Sequence, residues 1–408
     1  MSPGLGRGAV LALLLGAFVV ALAYGIALPI LPYLLERRFG PGPDVGWHTG
    51  LLTATYTFAL FIFAPLWGHL SDRWQRRGTV LIGLAGFAGA LILFAFIESL
   101  FALYAGRFLS GAFAAAVVPV ALATLADWAA DDEARARHFA WLNIATIGGA
   151  LAGPAIGGML GSMWQRGMPA SGAPFLLVAM AALVTALVAL VALPRGRAAA
   201  GTRAPTPARA RVELRWLLFL AFLSAWALGT FEVGLALRAK GEFGLGPGTT
   251  GLMFVECMLV MVVAQALVFN AWFPSRQTRR LLAPAFVVLA AALLLLWRAG
   301  TPPSLFVSVA GVAAAAGVLS PIIAFWVSLS AGDLQGGELG RQTSAASLGQ
   351  AIGSAAGGLL FGLAWGGGAF VLAAAFVLGG AVAAFPLSRR LACLRPWATD
   401  RAAERPKF

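Results

Sequence analysis

Three ionisable side chains, Arg107, Glu232 and Glu256, sit inside long apolar runs of a 408-residue chain. A charge in such a run costs about 2.5–3.5 kcal/mol even on the lenient insertion scale, so it persists only where it pairs or meets water. An arginine and two carboxyl groups suit one kind of joint chemistry. The arginine neutralises one carboxylate, and the other takes up and releases a proton. The same residues would also serve as a static ion pair, since structural pairs occur without any role in transport. Counted from the ends of their runs at about 1.5 Å per residue, all three are expected in the outer half of a membrane at similar height. Polar and aromatic residues that could line a cavity beside them are Tyr24, Tyr56, Trp226, Phe231, Phe325, Trp326 and Gln350.

The elements that must position these groups are membrane helices. Sixty per cent of the residues are hydrophobic and 11% are charged, against roughly 25% charged in a soluble domain. So few charges could not cover the surface of a soluble enzyme, a disordered chain or a nucleic-acid-binding domain. A span needs about 20 mainly apolar residues. Twelve such runs are read: 9–35, 47–68, 78–98, 100–126, 138–161, 173–194, 214–237, 249–272, 281–298, 303–329, 341–364 and 367–388. The first run is too long for a secretory signal and is read as an uncleaved first helix. Closed β-barrels are excluded, because their strands are short and alternate apolar with polar.

The basic residues set the direction. The net charge is +13, and of 29 Lys and Arg, 22 fall on one side of the spans and 6 on the other. That asymmetry places both chain ends and the central loop in the cytoplasm, in a multi-pass inner (plasma) membrane protein. The stretch 195–213 is Arg-, Ala-, Pro- and Thr-rich and reads as a flexible linker between two halves, 1–194 and 214–388. The tail 389–408 is basic and polar, a cytoplasmic end that could touch anionic lipid. The halves match weakly: GWHTGLLTATY (46–56) with PGTTGLMFVEC (247–257), AAAVVPV (114–120) with AGVLSPI (316–322), and 137–158 with 341–362. A duplicated six-helix unit, with a substrate site between the copies near the midplane, follows from that order.

Several segments carry a family resemblance. GHLSDRWQRRG (68–78) resembles the loop signature of the major facilitator superfamily through Gly68, Leu70, Asp72, Arg73, Arg76 and Arg77, with Gln75 where the family usually has Gly. Arg107 and Gly111 match the family's fourth-helix pattern. GGALAGPAIGG (148–158) is similar to the fifth-helix signature of the antiporter branch through Gly149, Gly153, Pro154, Gly157 and Gly158. GIALPILP (25–32) looks like the first helix, and DDEARARHF (131–139) resembles a loop of tetracycline/proton antiporters. The resemblance implies an all-α fold of two pseudo-symmetric six-helix bundles, and a monomer, with helices 1, 4, 7 and 10 around the cavity, which singles out Tyr24, Trp226 and Phe325 as its lining.

It implies a cytoplasmic gate in which Asp127 joins Asp72 and Arg76 in a charge relay. It also implies a fifth-helix face that meets the second half and limits leak. The implied activity is proton-coupled efflux of a small, partly hydrophobic compound by alternating access. An uptake symporter or metabolite permease of the same fold is the alternative. Where tetracycline exporters carry an Asp in the first helix, this chain has Leu22, Ala23 and Tyr24, which argues against a tetracycline–metal cargo.

Other chemistry lacks its signature. No G-x-x-x-x-G-K-[ST] phosphate loop occurs, so no ATPase within the chain powers transport. Cys257 and Cys393 have no neighbouring Cys or His at ligand spacing, and His48, His69 and His138 are far apart. The sequence points to no cofactor, no metal, no enzyme activity and no nucleic acid. The expected partners are a small-molecule substrate, protons and the bilayer.

Overall fold

The computed structural model describes residues 5–42, 44–96, 99–128, 132–165, 172–195, 208–268, 275–331, 335–362 and 367–392. Its helices are α1 (Arg7–Phe39), α2 (Asp44–Arg73), α3 (Arg76–Phe96), α4 (Leu100–Ala114), α5 (Val117–Asp127), α6 (Asp132–Gln165) and α7 (Ala173–Ala192). They continue as α8 (Ala208–Gly241), α9 (Pro247–Val268), α10 (Leu282–Arg298), α11 (Pro302–Ala331), α12 (Gln335–Gly362) and α13 (Gly368–Ala392). A 3₁₀ segment, Ser275–Leu281, leads into α10. Among the described residues every regular element is helical.

The twelve expected spans are all present as helix. The fourth is two helices end to end. Pro119 would clash with the carbonyl of residue 115 in a continuous helix. The chain instead turns at Ala115 and Ala116, whose N–H groups reach Gly111 O and Phe113 O at 3.1 Å. Pro119 then lies in the first turn of α5, where its missing N–H costs nothing. Eleven helical stretches are long and apolar enough to cross a membrane by length and composition. The remaining span is α12, whose Arg341, Gln342, Thr343, Ser347, Gln350 and Ser354 lower its hydropathy. The linker expected at 195–213 is shorter than its composition suggests. Residues 208–213 (ARARVE) are good helix formers and begin α8, while 196–207 lie outside the described residues. The tail expected at 389–408 likewise gives up its first residues to α13, and 393–408 lie outside the described residues.

Buried apolar residues fall into two clusters. One runs from Ala9 to Leu193 through α1–α7, and the other from Leu214 to Leu391 through α8–α13, joined by Leu28 of α1. Large apolar side chains such as Phe101, Val191 and Val382 are left exposed. A soluble surface would not leave so many uncovered, whereas lipid would cover them.

Among the described residues, the closest glycine contacts between the two groups of helices lie toward the end where α1 finishes at Phe39. There Gly50 of α2 meets Gly358 of α12. A Cβ on Gly358 would sit 2.5 Å from Gly46 O and 2.6 Å from Gly50 Cα. On the opposite flank a Cβ on Gly251 of α9 would sit 2.5 Å from Pro154 O and 2.9 Å from Gly158 Cα. Only glycine allows backbones this near. At the other end, Gly68 and Gly340 have no such neighbour. A cavity of about 560 Å³ opens there between α6, α9 and α11.

Candidate functional site

Tyr24, Glu232 and Gln350 form a closed ring of hydrogen bonds. Tyr24 Oη donates to Glu232 Oε2 at 2.5 Å, and Gln350 Nε2 donates to the same oxygen at 3.0 Å and to Tyr24 Oη at 2.8 Å. The three come from α1, α8 and α12, so the ring ties the first group of helices to the second. Glu232 is 7% exposed. Both of its partners present donors to one oxygen, which fits a carboxylate, an acceptor-only group. Among the described residues no Lys or Arg forms an ion pair with it.

Its helix is longer than expected. The span expected to end at 237 runs on to Gly241, and the partner Tyr24 lies midway along α1. Glu232 therefore lies nine residues from the end of its helix, still in the outer half, because the charged RAK segment that marked the expected end is itself helical.

Arg107 is not neutralised by either glutamate. It is 2% exposed, and its Nε and Nη2 have no hydrogen-bond partner. Its guanidinium lies over the ring of Tyr56 at 5.1 Å and that of Phe94 at 5.8 Å. Tyr56 in turn packs on Tyr24, with ring centroids 5.4 Å apart. Aromatic faces, not a carboxylate, meet this cation. The expected result is that Arg107→Met, close in length and apolar, raises the melting temperature of the purified protein by a few degrees, because it removes an unpaired buried charge. Thermal unfolding in detergent checks this, and a fall would show that the ring contacts outweigh the lost hydration.

Glu256 stands apart from that ring. Its Oε2 is buried without a partner, next to Cys257 on α9. Trp226 and Phe325, expected in the cavity, are both partly buried and each has an aromatic neighbour. Trp226 packs at a tilt against Phe376 of α13, with ring centroids 4.2 Å apart, and Phe325 meets Trp326 edge-on at 5.7 Å. Of the three cavity residues expected, the structure brings Tyr24 to Glu232.

Where α2 gives way to α3, Ser71 Oγ donates to Gly68 O at 2.8 Å and accepts from Arg76 Nη1 at 2.8 Å. Arg77 donates to the carbonyl of Leu190 in α7. Arg73 closes α2. The side chains of Asp72 and Asp127 lie outside the described ones, and the relay expected of them with them.

The fifth-helix glycines correct another expectation. A Cβ on Gly153 would meet Gly25 Cα at 2.7 Å, and one on Gly157 would meet Ile26 O at 2.7 Å, while Gly149 faces Phe18 O. That face therefore packs on α1, inside its own half. The second half is met by Gly158 and the carbonyl of Pro154 instead. A turn-by-turn copy of the segment stands in α12: Gly349, Gly353, Ser354, Gly357 and Gly358 match Gly149, Gly153, Pro154, Gly157 and Gly158. Gly349, Gly353 and Gly357 pack on Phe222, Trp226 and Thr230 of α8 as the first set packs on α1, and Gly358 crosses to α2. The aligned segments 137–158 and 341–362 are thus out by one helical turn. A four-residue slip keeps the same glycine face, so residue matching alone does not detect it.

Residues that sequence reasoning missed include Tyr33, Glu36 and Lys240. At the closed end Lys240 Nζ lies 2.7 Å from Glu36 Oε2 and sits over the Tyr33 ring. Tyr33 Oη donates to Leu245 O. The Glu36 side chain is 41% exposed, so the pair is worth only about 0.2–1 kcal/mol. Lys240→Gln is therefore expected to change the balance between closed and open ends by less than about fivefold, since 1 kcal/mol is about that factor. Glu36→Lys combined with Lys240→Glu is expected to restore it, as read by labelling of a cysteine placed near Tyr33.

Twelve helical traverses in two packed groups, meeting at a buried polar ring, define a multi-pass membrane protein of the secondary-transporter architecture. The chain belongs to the major facilitator superfamily, whose family model, described as Major Facilitator Superfamily, matches residues 13–269. It is 31% identical over 261 residues to the class B tetracycline resistance protein of Escherichia coli, covering 61% of this chain and 62% of that one. It is 26% identical over 271 residues to multidrug resistance protein 1 of Bacillus subtilis (strain 168), covering 64% and 67%. The chain thus spans about three fifths of the length of the tetracycline resistance proteins it matches. The fold resembles the crystal structure of the human organic anion transporter MFSD10 (TETRAN), with TM-score 0.70 and 23% identity over 93% of this chain and 99% of that one.

Proposed function

We propose that the protein is a proton-coupled exporter. It moves a small, partly hydrophobic compound outward by alternating access, as a monomer in the inner (plasma) membrane with both ends in the cytoplasm. The halves 1–194 and 214–388 rock about the Tyr24–Glu232–Gln350 ring. The observation that carries the reading is that ring: a buried carboxyl group whose hydrogen bonds join the two halves. The resistance proteins it resembles favour efflux over uptake.

The step follows from the donors. While Glu232 is ionised, Oε2 accepts from both Tyr24 and Gln350. A proton on the carboxyl group removes the charge from the acceptor, so the bonds from Tyr24 and Gln350 fall from charge-assisted to neutral strength. Protonation thereby loosens the tie between α1 and α8–α12. With the chain ends in the cytoplasm, the closed Phe39 end is the outer one, and the cavity opens inward. An ionised Glu232 in an inward-facing carrier is the form that has released its proton and can receive cargo. Binding energy can shift the two-state balance only through contacts that differ between the states, and this ring is such a contact.

Proton exchange with the detergent-solubilised protein tests the direction. Addition of a transported compound at constant pH is expected to release protons in wild type and none in Glu232→Gln. Proton uptake on addition would overturn antiport in favour of symport.

A further inference from the structure

The end of α7 that meets the start of α1 is flanked by arginines. Arg77, in the first turn of α3, donates to the carbonyl of Leu190 in α7. Its guanidinium is a planar fork with further N–H groups to offer. Arg195 follows the last residue of α7 by three positions and is exposed. On the other flank a Cβ on Gly8 of α1 would lie 3.5 Å from Ala192 Cβ, which brings Arg7 to the same end. Among the described residues none of these arginines forms an ion pair. The chain has few acids to pair with them: no Asp or Glu occurs in 1–35, 73–97 or 134–212.

The surface next to these charges is apolar. Met180, Val184, Leu187 and Val191 recur at helical spacing along one face of α7, and each is more than half exposed. Ile82 of the neighbouring α3 is exposed as well. A Cβ on Gly78 would meet nothing within 4 Å, so the space beside the Arg77 turn is open. The α7 end thus presents positive charge without counter-charge, followed by an apolar track into the membrane. A soluble anion would use the first part alone. A lipid with a phosphodiester headgroup and acyl chains uses both. Basic residues at the cytoplasmic ends of helices bind anionic headgroups, and arginine meets phosphate oxygens with two parallel bonds.

We infer that the Arg77–Arg195 end of α7 is a binding site for an anionic phospholipid. Its phosphate lies between these two guanidinium groups, and its chains follow the Val184–Leu187–Val191 stripe. The site lies outside both the Tyr24–Glu232–Gln350 ring and the cavity between the halves, and it does not depend on what is transported.

Native mass spectrometry of the full-length protein in detergent, with phosphatidylglycerol added, tests it. Each arginine near an anionic lipid is worth about fivefold in binding. Arg77→Gln with Arg195→Gln is therefore expected to weaken retention by about 25-fold, and Arg195→Gln alone by about fivefold. Arg215→Gln with Arg280→Gln removes the same charge from exposed positions of the second half. That pair is expected to change retention by less than about twofold, because neither arginine touches this site. Equal losses in the two double variants would reveal attraction to net charge alone and overturn the site, as would unchanged retention in Arg77→Gln with Arg195→Gln. Phosphatidylcholine, which has the same phosphodiester but no net charge, is expected to leave at detergent concentrations that keep phosphatidylglycerol bound, and equal retention would overturn the inference. Inorganic phosphate at the lipid's concentration is expected to displace nothing. Displacement would assign the arginines to a soluble anion and overturn the lipid site. Because Arg77 also holds Leu190, the single Arg195→Gln variant keeps the result readable if the double variant folds poorly.

Discussion

Glu232→Gln is expected to abolish proton-driven transport. In proteoliposomes, one pH unit can sustain about a tenfold cargo gradient for each proton exchanged, because a tenfold ratio is about 1.4 kcal/mol. The amide cannot carry the exchanged proton, so the gradient should fall to unity at every imposed pH difference. Passive exchange of cargo should survive, since the amide in that variant still offers an oxygen to Tyr24 and Gln350. Accumulation and counterflow measured on the same vesicles separate the two. Tyr24→Phe should behave differently. It removes one donor to a charged acceptor, worth about 1.5–3 kcal/mol, and should slow turnover while the final gradient is kept. If Glu232→Gln still builds a gradient, the proton travels elsewhere, and Glu256, buried without a partner for Oε2, is the next group to replace.

The second large effect is expected at the glycine contacts. Gly358→Ala places a methyl group 2.5 Å from Gly46 O and 2.6 Å from Gly50 Cα. These are backbone atoms that cannot rotate aside. Overpacking of this kind costs about 1–3 kcal/mol, and the cost falls on the state in which this end is closed. A bias of that size moves a two-state balance about 5–150-fold. Spin labels at Asp44 and Gly241, both near the closed end, should report a longer separation in Gly358→Ala than in wild type. Gly251→Ala, which meets Pro154 O at 2.5 Å on the opposite flank, should do the same. An unchanged separation in both would mean that the contacts do not limit opening.

Much of the architecture is readable from local signals, because membrane length and charge asymmetry are properties of single segments. The number of helices and the weak duplication follow from them. The break at Ala115–Ala116 is present in the position of Pro119, yet a run of apolar residues conceals it. What escapes local reading is pairing over long distances. Arg107 and the two glutamates share a charge pattern that suggests an ion pair, but the cation's neighbours are Tyr56 and Phe94. Aromatic faces carry no sequence mark that distinguishes this use from packing.

Tyr24 is legible as a polar group in the first helix. Gln350 is harder, because α12 is polar along much of its length and one amide does not stand out there. Asn143, Gln265 and Ser320, which line the cavity at the open end, are isolated neutral residues on three helices, and only the divergence of those helices assembles them.

The unneutralised guanidinium of Arg107 has an electrical consequence. A unit charge crossing the whole membrane field changes energy by about 2.3 kcal/mol per 100 mV. When the water-accessible gap switches from one side of Arg107 to the other, part of that field sweeps past a charge that pairs with no carboxylate among the described residues. The resting distribution of the empty carrier should therefore depend on voltage, and a potassium–valinomycin potential imposed without any pH difference should shift it.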